Sequence, residues 1–127
     1  MSRRVIFAEK APAPVGAYSH GVIVDNLYYS TGQIGLNPET NTLVEGGIVE
    51  EARQAMKNMG TLLEAAGSGF DKLVKVNLLI TDVTKFKEVD DVYKEFVTES
   101  LPGRMCAEVT NLPAGAQFSI EVIAYVE

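Results

Sequence analysis

A chain of 127 residues with 46% apolar content fits one domain, read here as 1–127, and leaves no length for a second. Seventeen acidic against eleven basic residues give a net charge of −6, which opposes attraction to a phosphate backbone, so nucleic acid is not an expected partner. One cysteine, Cys106, and one histidine, His20, can supply neither an internal disulfide nor the usual tetrahedral zinc set.

Arg3 and Arg4 precede only Val5 to Ala8 before Glu9, too short an apolar stretch for a signal peptide. The longest apolar runs, such as Val76 to Ile80, fall far short of a membrane span. The expectation is a cytoplasmic protein without a membrane partner. Ala11-Pro12-Ala13-Pro14-Val15-Gly16 reads as an irregular lead-in. Val22 to Val24 and Leu27 to Ser30 then flank Asp25-Asn26, two residues that tolerate positive φ and predict a tight hairpin.

From Ile48 to Ala66 the apolar residues Ile48, Ala52, Ala55, Met56, Met59, Leu62, Leu63 and Ala66 recur at helical spacing, with Gly67 placed as a left-handed cap. Lys72 to Ile80 alternates as a strand, with Val74, Val76, Leu78 and Ile80 facing one way and Lys75 and Asn77 the other. Asp82 is positioned to cap a second helix striped by Phe86, Val89, Val92, Tyr93 and Phe96, which Pro102 and Gly103 end. Two strands close the chain. In one, Met105, Ala107 and Val109 alternate with Arg104, Cys106 and Glu108; in the other, Phe118, Ile120, Val122, Ala124 and Val126 alternate with Ser119 and Glu121.

The order ββαβαββ predicts an α+β domain with two helices on one face of a mixed sheet. In that register Leu27, Tyr29, Leu79, Ile123 and Tyr125 lie on the uncovered face. Their apolar character predicts burial against another copy, hence a homo-oligomer.

Among residues that carry chemistry, Arg104 stands at the start of a strand, where its planar fork suits a carboxylate; the plainer reading is a rim ion pair to Glu108 or another acid. Tyr18 lies among small residues that let a ligand approach, and Ser30-Thr31-Gly32-Gln33 offers hydroxyls and backbone groups to a small polar substrate; a packing tyrosine and an ordinary turn are the alternatives. His20 has no serine and acid at triad spacing and reads as structural or peripheral. Cys106, two residues from Arg104 on the same strand face, reads as a site neighbour and not a nucleophile. Gly46-Gly47 lacks the spacing and lysine of a phosphate loop, and the expected chemistry is cofactor-free.

Gly16-Ala17-Tyr18-Ser19, Ser30-Thr31-Gly32-Gln33-Ile34, Asn58-Met59, Ala65-Ala66-Gly67, Val74-Lys75-Val76, Phe86 with Val89 and Tyr93, Pro102-Gly103-Arg104, Leu112-Pro113 and Ile120 to Ala124, in that order, resemble the Rid family, also called the YjgF family. The resemblance implies a chorismate-mutase-like fold, a homotrimer with three clefts between neighbouring subunits, and hydrolysis of 2-imino acids to 2-oxo acids and ammonia. It implies that Arg104 binds the substrate carboxylate, that Tyr18 lines the pocket, and that the Gly32 backbone helps to hold the imine or the attacking water.

The chain departs from the family pattern at Ser119. Deaminases of the family have Glu-Ile-Glu in the last strand where this chain has Ser119-Ile120-Glu121. A serine hydrogen-bonds water but is not a carboxylate base, and Glu121 is roughly 7 Å further along the strand. His20 replaces a usual glutamine, Gly103 an alanine, and Asp90 a common asparagine; Asp90, beside Asp91, is read as a solvated helix residue. Two other readings stay open: a trimer that binds 2-oxo acids without turnover, favoured by Ser119, and a ribonuclease or translation inhibitor, disfavoured by the acidic charge.

Overall fold

The computed structural model describes residues 2–127; Met1, the first residue of the domain as read from sequence, lies outside them. Helix α1 (Ile48–Ala66) forms where the apolar spacing places it, and all eight residues of the expected stripe are buried. Gly67 adopts φ 79° and ψ 32°, so that its N–H reaches the Glu64 carbonyl (3.1 Å) and the Ser68 N–H the Leu63 carbonyl (2.8 Å). These bonds satisfy carbonyls that the end of the helix leaves free. Helix α2 (Phe86–Phe96) buries Val89, Val92 and Tyr93. Asp82 caps the short 3₁₀ turn Val83–Lys85 that leads into α2, accepting the Thr84 N–H at 3.0 Å.

Among the described residues the sheet has six strands: β1 (Arg3–Val5), β2 (Gly21–Val24), β3 (Leu27–Ser30), β4 (Leu73–Ile80), β5 (Gly103–Glu108) and β6 (Phe118–Tyr125), in the spatial order β1-β2-β3-β6-β4-β5. Among the described residues only β4 and β5 run parallel, and α2 lies in the crossover that joins them. Asp25 takes φ 55° in the β2–β3 turn. Strand β1 was not foreseen. Its three residues are all exposed, so no alternation marks them, and pairing with β2 alone makes them a strand.

Tyr28, Val76, Leu78, Ile80, Ile120, Val122 and Ala124 lie buried on the helix-covered face. The opposite face carries the apolar residues expected there: Leu27, Leu79 and Ile123 are half-buried, and Tyr29 and Tyr125 remain 43% and 40% exposed.

One expectation about faces is corrected. A register shift between Leu73 and Lys75 turns Leu73 into the core and leaves Val74 exposed, because the extra residue of a bulge breaks the two-residue alternation. In β5 the apolar series is the outward one. Parallel pairing of Val76 with Arg104 and of Leu78 with Cys106 puts Arg104 and Cys106 on the helix side, leaving Met105 exposed.

Candidate functional site

Arg104 enters from the second residue of β5 and reaches under α2. Phe86, Asp90, Tyr93 and Lys94 stand three, four, seven and eight residues apart on that helix and so share one face. The guanidinium carbon sits 5.3 Å from the Phe86 ring centroid and 4.7 Å from that of Tyr93. These aromatic contacts hold the fork in place through attraction between cation and π-face.

The arginine's acidic partner is Asp90 and not Glu108, whose carboxylate accepts the Val83 N–H instead. Arg104 Nη1 donates to Asp90 Oδ1 at 2.6 Å, and Lys94 Nζ lies 3.4 Å from Asp90 Oδ2. Asp90 is therefore not the solvated helix residue expected: its side chain is only 19% exposed, because its position on α2 faces β5 while Asp91 points outward. Burial pushes its carboxyl up, but the hydrogen bond and charge of Arg104, with help from Lys94, outweigh that and hold it below the usual carboxylate range. Among the described residues Arg104 Nε and Nη2 have no hydrogen-bond partner, so one edge of the fork is open. Arg104 lines a cavity of about 390 Å³ together with Asp90, Tyr93, Lys94, Val97, Leu101 and Pro102.

A second cavity, about 330 Å³, gathers Tyr18, Thr31, Gly32, Gln33, Pro113 and Ser119. Tyr18 is exposed on the lead-in loop and its hydroxyl accepts the Val15 N–H at 3.2 Å. Gly32 lies against Ser119: a β-carbon there would sit 3.3 Å from the serine Oγ. Gln33 exchanges both backbone hydrogen bonds with Ile120, whereas the Gly32 N–H has no partner among the described residues. A free backbone donor beside a hydroxyl is suited to holding a water molecule or a polar double bond.

The wall of this cavity is fastened by two side chains the sequence reading missed. Asn58 donates from Nδ2 to the carbonyls of Ile34 (3.1 Å) and Leu36 (2.9 Å). Glu51, 2% exposed, accepts the Gln117 backbone N–H at 2.7 Å and the Gln117 amide at 2.9 Å. Gly35 makes the close approach possible, since a β-carbon at that position would come within 2.6 Å of the Glu51 carbonyl oxygen. A signal was present: Glu51 and Asn58 are seven residues apart, polar residues on the apolar stripe of α1.

The structure unites Tyr18, Gly32 and Ser119 but does not bring Arg104 and Cys106 to them. Ser119 pairs with Leu79 on the open face, whereas Arg104 pairs with Val76 on the helix face, three residues back along β4 or roughly 10 Å. A small acid cannot touch both within one chain. Glu121 shares the open face with Ser119, and its carboxylate accepts from Asn77 at 3.0 Å.

His20 is buried and structural. Its Nδ1 accepts the Ala8 N–H at 2.8 Å, which leaves Nε2 to donate to the Pro12 carbonyl, also at 2.8 Å. These bonds pin the lead-in loop that carries Tyr18. Cys106 is half-buried, and burial pushes its thiol up, with Asp90 adding to the shift and Arg104 only partly opposing it. That favours the thiol over the nucleophilic thiolate.

A family model described as Endoribonuclease L-PSP matches residues 8–126. The chain belongs to that family, the Rid proteins its motifs resemble. It is 46% identical over 122 residues to a 2-iminobutanoate/2-iminopropanoate deaminase of Rattus norvegicus, covering 96% of this chain and 89% of the relative. The crystal structure of RidA from the Antarctic bacterium Psychrobacter sp. PAMC 21119 superposes with a TM-score of 0.93 at 38% identity, covering 97% of this chain and 99% of that one. E. coli TdcF, crystallised with bound serine, gives a TM-score of 0.91 at 29% identity, covering 98% and 99%. The α+β architecture with a mixed sheet and two helices is thus that of Rid proteins.

Proposed function

We propose that this protein hydrolyses 2-imino acids, of the size of 2-iminopropanoate and 2-iminobutanoate, at a cleft completed by two copies of the chain. One copy supplies Arg104 with Cys106 nearby, and its neighbour supplies Tyr18, Gly32 and Ser119. The observation that carries this reading is the open edge of the Arg104 fork, which the Phe86 and Tyr93 rings and Asp90 hold in position for a carboxylate. The similarity to named imine deaminases supports the substrate class. The half-exposed apolar face of Tyr29 and Tyr125 supports association into a homotrimer.

In this mechanism Arg104 fixes the carboxylate and so presents C2 to a water held by Ser119 and the Gly32 N–H. The water oxygen bonds to C2 while the C=N electron pair moves to nitrogen, and a proton passes from the added water to that nitrogen, which makes it a leaving group. The resulting carbinolamine loses ammonia to give the 2-oxo acid. No bond to the protein forms, and catalysis rests on orientation and on fixed dipoles.

The test generates 2-iminopropanoate in situ with an amino-acid oxidase and traps surviving imine with semicarbazide. The protein is expected to suppress the semicarbazone. Undiminished semicarbazone would overturn the deaminase reading and favour the binding-only trimer, since no carboxylate stands among the residues lining the Tyr18 cavity. Ser119→Ala is expected to lower kcat by roughly 5-fold with KM little changed, the loss of about one hydrogen bond to the water. A kcat equal to wild type in the same assay would remove Ser119 from the mechanism.

A further inference from the structure

Asp90 has a consequence for which acids the Arg104 site accepts. It engages a single guanidinium nitrogen, Nη1 at 2.6 Å, and leaves Nε and Nη2 to a ligand. Its other oxygen is held at long range by Lys94, an exposed side chain 3.4 Å away. A carboxylate placed on the open edge of the fork therefore lies beside a second, fixed carboxylate. For a ligand with only negative charge that neighbour is repulsive; for one with a cationic nitrogen on the adjacent carbon it is a hydrogen-bond acceptor of opposite charge. Tyr93 adds a further polar group on the same wall. It is 5% exposed and lines the cavity, with its hydroxyl close to the Arg104 guanidinium. Val97, Leu101 and Pro102 complete the wall with apolar surface suited to a short side chain.

We infer that Arg104 and Asp90 together form a receptor for zwitterions, in which Arg104 takes the carboxylate and Asp90 the protonated nitrogen of an α-iminium acid, so that the site prefers the nitrogen-bearing substrate to the 2-oxo acid product. This rests on the imine-hydrolase reading for its substrate, and it narrows that reading to the protonated imine. An iminium carbon is also the more electrophilic form, so the residue that selects the ligand selects the reactive species. When hydrolysis replaces nitrogen by oxygen, the attraction to Asp90 turns into repulsion, and the product is released.

The experiment measures binding of L-serine, as a stable zwitterion, and of 2-oxobutanoate, as the anion, to the intact wild-type protein, Asp90→Asn and Arg104→Ala by calorimetry. Asp90→Asn keeps the side-chain size and removes the charge. It is expected to weaken L-serine about 10-fold and tighten 2-oxobutanoate about 10-fold, a reversal that partial unfolding cannot produce. Arg104→Ala is expected to abolish both. Asp90→Asn shifting both ligands in the same direction, or neither, overturns the inference while Arg104 dependence leaves the carboxylate site standing. Binding that survives in Arg104→Ala, or is missing from wild type, overturns the Arg104 site itself and the inference with it.

Discussion

Arg104→Ala is expected to lower kcat/KM for imine hydrolysis by about 100-fold. Two parallel hydrogen bonds between a guanidinium and a carboxylate contribute about 3 kcal/mol in a desolvated setting, and each 1.4 kcal/mol is a factor of ten. The setting is partly desolvated here: the Arg104 side chain keeps 25% of its surface, with Phe86 and Tyr93 rings against it. The alanine variant also leaves Asp90 with only the longer contact to Lys94, so a carboxylate would meet uncompensated negative charge. Arg104→Lys keeps the charge but not the planar fork and is expected to recover only part of the loss. Initial-rate kinetics with the semicarbazide trap measure both variants. A value for Arg104→Ala within 3-fold of wild type would show that the substrate carboxylate binds elsewhere.

The largest expected loss of stability is at Glu51. Its two carboxylate oxygens take the backbone and side-chain N–H groups of the half-buried Gln117, and the glutamate itself is buried. Hydrogen bonds to a charged acceptor contribute about 1.5–3 kcal/mol each, and removal leaves their donors unsatisfied. Glu51→Ala is therefore expected to cost about 3 kcal/mol and lower Tm by roughly 10 °C. Glu51→Gln, which keeps one acceptor and the volume, is expected to cost about a third as much. Thermal unfolding followed by circular dichroism decides it; a Tm for Glu51→Ala within 2 °C of wild type would contradict the clasp. Because the 113–117 segment also walls the Tyr18 cavity, the alanine variant should show a raised KM where it remains folded.

Both helices were legible in the sequence because a one-sided apolar stripe is a strong local signal, and α1 ends at the residue its glycine cap marks. The strands β4, β5 and β6 were legible through alternation, and β2 and β3 through the Asp25-Asn26 turn between them. What escaped depended on partners. The exposed residues of β1 become a strand only through pairing with β2. The face that Arg104 presents in β5 follows from its register with Val76, and the bulge at Leu73 follows from pairing with β6. Sequence separation hid the Arg104–Asp90 pair for the same reason, since its members stand fourteen positions apart, one on a helix and one on the following strand. Tyr18, Gly32 and Ser119 were each identifiable as site candidates, yet their convergence in one cavity, away from Arg104, is a property of the sheet's two faces and not of any local pattern.

That separation makes the central claim, a site shared between copies, open to a direct test by complementation. Arg104→Ala removes the carboxylate grip, and Gly32→Leu fills the other half-site. Each protein alone is expected to be inactive in the imine-trapping assay. Unfolded together and refolded at equal concentrations, they should regain about a quarter of wild-type activity, because random assembly pairs an intact Arg104 with an intact Gly32 pocket in about one cleft in four. A refolded mixture as inactive as its components, alongside active refolded wild type, would place the whole site within one chain and contradict the account.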